Sequence, residues 1–376
     1  MQDGDDRLQR HMTMREALAQ AALALPLCKP NPAVGCVIAA PDGSTLGIGH
    51  TQQAGGPHAE IMALRDAAGR GHSVHGATLY VTLEPCSHQG RTGPCCDALI
   101  GSGIKKVVAS LVDPNPLVAG KGFERLRAAG LAVEIGPGAA ESRELNLGFF
   151  SRMIRQKPWV RMKLAASLDG QTALANGQSQ WITGEAARSD GHAWRAASCA
   201  VLTGIGTVLA DNPRLDVRLA QTRRQPALVV VDSQLQTPPD ALIFEAKRPL
   251  FIYASEQNDQ KKAALEARGA IVTFLPGLGN KVDLPAMLQD LAQRHQLNDL
   301  HVEAGHKLNG SLVREAMVDE LLVYLAPKLL GLAQGMASFG PLHSLKEATS
   351  WRFLATDMIG DDLRIRARLT GRDVFL

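Results

Sequence analysis

One imidazole and two thiols able to bind a soft divalent metal follow one another along the chain: His58, Cys86 and Cys95. Together they suit tetrahedral zinc with its fourth position left for water, and such a zinc lowers the pKa of that water to about 7. Glu60 lies two residues past His58, at the start of an expected helix. From there it reaches the water without being a ligand. A carboxylate so placed can carry a proton from the water to a departing amine.

His58-Ala59-Glu60, then Pro85-Cys86 and a later cysteine, is the pattern of zinc deaminases, although here eight residues separate Cys86 from Cys95 in place of the usual two. A structural zinc knot or a pair of buried thiols is the alternative. A structural site takes four protein ligands, however, and has no use for an acid beside the histidine. His50, His72, His75 and His88 are expected in loops or behind the ligands. Cys96 is expected on the opposite side of its helix from Cys95, and Cys36 in a strand's core.

In the second half, no Gly-x-Gly-x-x-Gly follows the first strand, which argues against a Rossmann dinucleotide site. Two glycine-bearing stretches each follow a predicted strand: Gly204-Ile205-Gly206-Thr207, and Gly305-His306-Lys307-Leu308-Asn309-Gly310-Ser311, which opens a helix. Backbone N–H groups at such a start can receive a phosphate. Ordinary turn geometry is the alternative for the same glycines.

The elements needed to position these groups are legible in the hydrophobic pattern. Strands are expected over residues 33–40, 45–50, 77–83, 106–111 and 131–135, and helices over 58–71, 95–103 and 122–129, with a core helix over 17–27. Pro41-Asp42-Gly43 turns the first two strands into a hairpin. A hairpin followed by strand–helix alternation implies an α/β fold: a mixed sheet, helices on both faces, and strand C-termini gathered at one edge. A polar helix and then the basic stretch 152–157 place a boundary near residue 152, giving domains 1–152 and 153–376. Strands expected over 159–166, 200–204, 227–232, 250–254, 271–275, 301–303, 320–326, 353–359 and 362–369 give the second domain an α/β sheet of its own.

A length of 376 residues suggests two or three domains, and 45% apolar with 20% charged residues is a globular composition. Lys and Arg number 40 against 37 Asp and Glu, a net +3 with no basic block, so neither nucleic acid nor a membrane surface is an expected partner. Aromatic residues at 4% leave few stacking platforms for single strands. No apolar run approaches the ~18 residues of a membrane span, and no export signal is read at the N terminus. The six cysteines then point to a reduced compartment and to metal or catalytic use. A cytoplasmic enzyme is expected.

Several motifs in one order carry a resemblance. Pro30-Asn31-Pro32-Ala33-Val34-Gly35, Pro57-His58-Ala59-Glu60, Leu83-Glu84-Pro85-Cys86-Ser87-His88 with Gly90-Arg91-Thr92 and Pro94-Cys95-Cys96, and Asp113-Pro114-Asn115-Pro116 with Val118-Ala119-Gly120 resemble the deaminase half of the bifunctional riboflavin-biosynthesis deaminase/reductase family. That family uses the longer cysteine spacing. Lys163-Leu164-Ala165-Ala166-Ser167-Leu168-Asp169-Gly170, Ser179-Gln180-Trp181-Ile182-Thr183, Thr207-Val208-Leu209-Ala210-Asp211 and Val302-Glu303-Ala304-Gly305 resemble its reductase half. The resemblance runs from about Arg15 to the C terminus.

It implies a cytidine-deaminase-like N-terminal domain and a dihydrofolate-reductase-like C-terminal one. The first would hold one zinc on His58, Cys86 and Cys95, with Glu60 catalytic, and deaminate a diamino-ribosylamino-pyrimidinone 5'-phosphate. The second would use NADPH to reduce the product's ribosyl group to a ribityl chain, by hydride delivery to the sugar C1 of the opened imine. Asn31 would hold sugar or ring, an Asx turn between prolines being the alternative, and His88 and Arg91 would meet polar groups of the substrate. Ala165, Trp181, Thr207, Asp211, Ser233 and residues 305–311 match cofactor positions. Ser179, Arg195, Leu215, Arg218 and Glu303 match substrate positions, with Lys163 and Asp169 orienting the reacting sugar.

Arg195 and Arg218 have the fork that a phosphate needs, surface salt bridging being the alternative, and Glu303 can accept from ribose hydroxyls or make a buried structural bond. Gln171 stands where the family commonly has Arg, and His306-Lys307 where it commonly has Pro or Gly and then Thr or Ala; these departures bear on cofactor affinity. A homo-oligomer, dimer or tetramer, is expected. The zinc motif alone also permits a rival, a nucleic-acid-editing deaminase with a C-terminal binding module.

Overall fold

Gly35–Ala39 (β1) and Thr45–His50 (β2) pair antiparallel across the Pro41-Asp42-Gly43 turn, where Gly43 N–H donates to Ala40 O. β1 pairs on its other side with Thr78–Val81 (β3), and Lys106–Ala109 (β4) and Ala132–Ile135 (β5) continue the sheet in parallel. Its order is β2-β1-β3-β4-β5. The helices are Gln2–Ala24 (α1), Ala59–Gly69 (α2), Cys95–Gly101 (α3), Lys121–Ala128 (α4), Ala139–Leu145 (α5) and Leu147–Phe150 (α6). These elements belong to a computed structural model that describes residues 2–89, 93–222 and 224–375.

Alternation along β1 sends Gly35, Val37 and Ala39 to the face covered by α1, and Cys36 and Ile38 to the face covered by α2. Two glycines set how closely α2 lies on the hairpin. A Cβ on Gly47 would fall 2.4 Å from Ala63 O, and one on Gly49 would fall 2.5 Å from Ala59 O, so both must stay bare. The first turn of α2 is thereby pressed onto β2. The expected core helix 17–27 is the second half of the longer α1, whose buried Met14, Ala17, Ala21 and Ala24 recur at helical spacing and carry the polar N-terminal residues into the same helix.

The contacts divide the chain into two units, one ending at Arg155 and one starting at Gln156. The boundary expected near residue 152 falls inside a π-helical turn, Ser151–Arg155, that continues from α6.

The second unit holds a nine-stranded sheet. Its strands are Trp159–Ser167 (β6), Ala200–Gly204 (β8), Ala227–Val231 (β9), Leu250–Ala254 (β10), Ala270–Phe274 (β11), Asp299–Val302 (β12), Glu320–Ala326 (β13), Trp351–Ile359 (β15) and Asp362–Leu369 (β16), while Gln171–Ala173 (β7) and Gln334–Gly335 (β14) form a small ribbon apart. The order is β11-β10-β9-β8-β12-β6-β13-β16-β15, parallel as far as β13 and antiparallel after it. Helices Glu185–Ala197 (α7), Ile205–Asp211 (α8), Asp259–Glu266 (α9), Leu284–Gln293 (α10) and His306–Arg314 (α11) complete it.

One face of the central strands is apolar, with Val160, Met162, Leu300 and Val302 in a cluster with Met287 and Leu291 of α10. The opposite face carries Arg161 and Lys163 of β6, His301 of β12, and Glu320 and Tyr324 of β13. Helix α7 lies over that polar face, with Arg161 stacked 4.5 Å from the Trp194 ring and the Tyr324 hydroxyl donating to Asp190 at 2.6 Å. Among the described residues no helix is long and apolar enough to cross a membrane.

Candidate functional site

His58 is the N-cap of α2, Cys95 the first residue of α3, and Cys86 lies in the loop after β3. Two helix starts and one loop therefore bring three ligand atoms within 4.8 Å of one another. His58 Nδ1 is 3.5 Å from Cys86 Sγ and 3.3 Å from Cys95 Sγ. A tetrahedral ion with bonds of about 2.0–2.3 Å holds its ligand atoms roughly 3.3–3.8 Å apart, so this donor set fits zinc as it stands.

The electrostatics agree with a cation site. Hydrogen bonding to Cys86 raises the His58 imidazole to about 8. The hydrogen bond from Cys95 brings Cys86 down to about 4, and the same bond, with burial, pushes Cys95 up. A divalent cation binds thiolates, so its binding there releases thiol protons. Glu60, the second residue of α2, is buried beside them. Burial and the charge on Cys86 push its carboxyl up to about 7.

The flanking residues take supporting places. Cys96 is buried and donates to Pro85 O and Gly122 O, as expected for a thiol facing away from the ligands. Cys36 is buried in β1 close enough to Glu60 for the two to repel as anions. His50 and His72 bond to Gln20 and to Leu46 O, away from the cluster. His88 Nδ1 is buried with no hydrogen-bond partner among the described residues. Residues 90–92, with the expected substrate contact Arg91, lie outside the described residues. Asn31 is partly buried in the turn before β1, where its N–H donates to Cys28 O. Sequence reasoning missed Asn146, whose side chain holds both backbone groups of Ala33 at 2.7 and 2.9 Å and so fixes the segment carrying Asn31.

In the second unit the expected residues gather at the ends of β6, β8 and β12, with others on loops. Thr207 lies in the first turn of α8 after β8, and Gly305 caps α11 after the adjacent β12. Thr207 Oγ1 would be 3.9 Å from a Cβ on Gly305. The N-cap of α11 is a glycine with no side chain to cap it, and among the described residues no side chain bonds its first N–H groups, which can meet an anion. The stretch 305–311 splits in two, however. Gly305 and Lys307 are exposed, with His306 and Leu308 partly so. Asn309 and Gly310 are buried: Asn309 donates to Ala304 O and Met336 O, and a Cβ on Gly310 would fall 1.8 Å from Ser338 O. Those two hold the protein's own backbone, and the Ser311 hydroxyl donates back to Lys307 O.

Ala165 lies on β6, and Ser179 and Trp181 in the loop before α7. Trp181 is 64% exposed with the Arg188 guanidinium 4.6 Å over its ring, so it is no core anchor. Asp211 ends α8 in the open, and Ser233 follows β9, its carbonyl accepting from Ser255 and Glu256. The Leu215 side chain is buried in an apolar cluster, which leaves only its backbone to face a ligand.

The two arginines differ. Arg218 is half exposed and paired with Asp216. Arg195 is buried, with Nε 2.7 Å and an Nη 2.9 Å from the two oxygens of Glu303 and its remaining nitrogen on Asp216 O. Its fork, expected to meet a phosphate, is taken by Glu303. Burial pushes the Glu303 carboxyl up, but Arg195, His301 and Lys163 outweigh it and hold Glu303 far below the usual carboxylate range. Burial lowers Lys163, which lies on the same face.

Comparison with known proteins agrees with both halves of this geometry. A family model described as the cytidine and deoxycytidylate deaminase zinc-binding region matches residues 7–111, and one described as the RibD C-terminal domain matches residues 158–365. A riboflavin biosynthesis protein RibD of Escherichia coli is 43% identical over 369 residues, covering 95% of this chain and 98% of the relative. The structure of Acinetobacter baumannii RibD is similar with a TM-score of 0.87 at 39% identity, covering 96% of this chain and 99% of the other. A Thermotoga maritima structure described as a diaminohydroxyphosphoribosylaminopyrimidine deaminase/5-amino-6-(5-phosphoribosylamino)uracil reductase is similar at 0.83 and 30%, covering 96% of this chain and 99% of the other.

Proposed function

This chain belongs to the bifunctional riboflavin-biosynthesis deaminase/reductase family, and from that premise we propose how its residues divide the two reactions. It is a deaminase fused to a reductase. A reductase-family match across residues 158–365 removes the nucleic-acid-binding reading of the C-terminal half.

In the N-terminal unit His58, Cys86 and Cys95 hold zinc, which supplies the Lewis acid that activates water. Glu60 carries the proton. Its buried carboxylate lies beside the ligand cluster, accepts a proton at one oxygen and delivers it to the leaving amine nitrogen of the pyrimidine. Asn31, on a segment fastened by Asn146, orients the ring or sugar. The placement of Glu60 against three metal ligands is the observation that carries the reading.

In the C-terminal unit NADPH supplies the hydride. The first N–H groups of α11, with Lys307 exposed in its first turn, receive a phosphate of the cofactor beside Thr207, and Ala165, Trp181, Asp211 and Ser233 line the remainder. Arg218, half exposed, is the donor for the substrate's 5'-phosphate. Arg195 acts through Glu303, holding both carboxylate oxygens so that the group faces the ribose in one orientation. Ser179 and the Leu215 backbone complete the substrate contacts. The proposal includes a cytoplasmic location, a homo-oligomer and a functional division close to residue 152.

Mass spectrometry of the diaminopyrimidine ribosyl phosphate incubated with the protein tests it. The expected result is the deaminated product alone without NADPH, and the deaminated, reduced product with it. An unchanged substrate in both incubations overturns the reading.

A further inference from the structure

His58 caps the start of α2 and Cys95 begins α3, whereas Cys86 lies within a loop and at no helix start, so something other than regular structure must fix its sulfur. Two residues before it, the Glu84 side chain is buried. One oxygen accepts the N–H groups of Gly122 at 2.8 Å and Phe123 at 3.3 Å, and the other those of Gly120 at 2.9 Å and Asp113 at 3.1 Å. A carboxylate that binds four backbone donors ties its own segment to the 113–123 loop and the start of α4. The tie is tight: a Cβ on Gly122 would fall 2.1 Å from Pro85 O.

The same helix start also reaches the other sulfur ligand. Cys96, next to Cys95, donates to both Pro85 O and Gly122 O, and its N–H donates to Cys86 O at 3.2 Å. From the next turn of α4, Arg125 donates to Ser87 O at 3.2 Å and pairs with Asp97 at 2.5 Å. Residues on either side of Cys86 and just after Cys95 are therefore held to one platform, and Glu84 is its charged centre.

We infer that Glu84 is a positioning residue for the metal: it fastens the Pro85-Cys86 segment to the start of α4 and so keeps the Cys86 sulfur at bonding distance. Supporting groups of this kind, though not ligands, typically change metal affinity about 10–100-fold when altered. The inference rests on the zinc reading of His58, Cys86 and Cys95.

The test is the rate at which folded, full-length, zinc-loaded protein gives up zinc to a chromophoric chelator, well below the unfolding temperature. Wild type, Glu84→Gln and Gly122→Ala are compared, and thermal unfolding of each is recorded alongside. Glu84→Gln keeps the shape but turns an amide NH2, itself a donor, toward backbone donors, and Gly122→Ala pushes on the Pro85 carbonyl from the other side. Both should release zinc about 10–100-fold faster while still binding it at about one per chain. A lowered unfolding temperature with zinc release at the wild-type rate would make Glu84 merely structural and overturn the assignment. Failure of both variants to fold with zinc supplied would do so too. Wild-type protein that binds no zinc would sink the metal reading itself, a separate outcome.

Discussion

The two units place their polar groups in opposite ways. In the N-terminal unit His58, Glu60, Cys86 and Cys95 converge from two helix starts and a loop, so the groups proposed to react are the protein's own. In the C-terminal unit buried and half-buried charges are paired with one another: Arg195 with Glu303, Arg161 and Arg368 with Glu320, Arg364 with Asp190. On the proposed reading, the difference follows from where the chemistry comes from. A unit that must move a proton itself builds a cluster whose charges a metal completes. A unit whose cofactor brings the hydride needs fixed, mutually satisfied walls around it.

The sharpest way to break that contrast is Glu60→Gln. The amide keeps the shape and cannot carry a proton, so ammonia release should fall by ~10²–10⁴-fold or more while zinc content stays at about one per chain. NADPH oxidation with already deaminated substrate should be unchanged in the same variant. Loss of that oxidation in a folded, zinc-loaded protein would mean that the units do not work independently.

Arg195→Ala sharpens the comparison from the other side. It strands the buried Glu303 carboxylate without its partner, so the C-terminal unit should lose about 3–5 kcal/mol of stability in a denaturant titration. An effect confined to KM would show that Arg195 is a substrate donor and not a wall.

Glu320 offers a pH test of the same wall. Burial pushes its carboxyl up, but Arg161, Arg366 and Arg368 outweigh burial and bring it to about 2 from an ordinary 4.5. A depressed folded pKa gives stability that is fully present above 4.5 and is lost as pH falls toward 2. The amount is about 3 kcal/mol, and Glu320→Gln should flatten acid unfolding over that window. An unchanged acid transition would remove Glu320 from the account.

The smallest effect is expected from Arg218→Ala. Its side chain is half exposed, so stability should be unaltered while KM for the deaminated substrate rises, by about 1.5 kcal/mol or roughly tenfold, through one lost phosphate contact. A normal KM would move the phosphate elsewhere.

The sequence by itself singled out His58, Cys86, Cys95 and the neighbouring Glu60, which the structure brings together, and the strand–helix alternation of both units. Soft ligands and a carboxylate carry their chemistry in their side chains, and periodicities of two and 3.6 residues are local. β2, β8, β10, β13 and β16 have the expected bounds for that reason. What only the tertiary structure decided was partnership. Nothing local tells Arg195 to lie on Glu303, 108 positions away, rather than on a phosphate. Asn146 meets Ala33 across 113 positions, and Glu84 is just one acid in an apolar stretch until the backbone of residues 113–123 folds around it. An ion pair or backbone acceptor is chosen by what burial brings near, and a buried carboxylate must take whichever donors arrive with it.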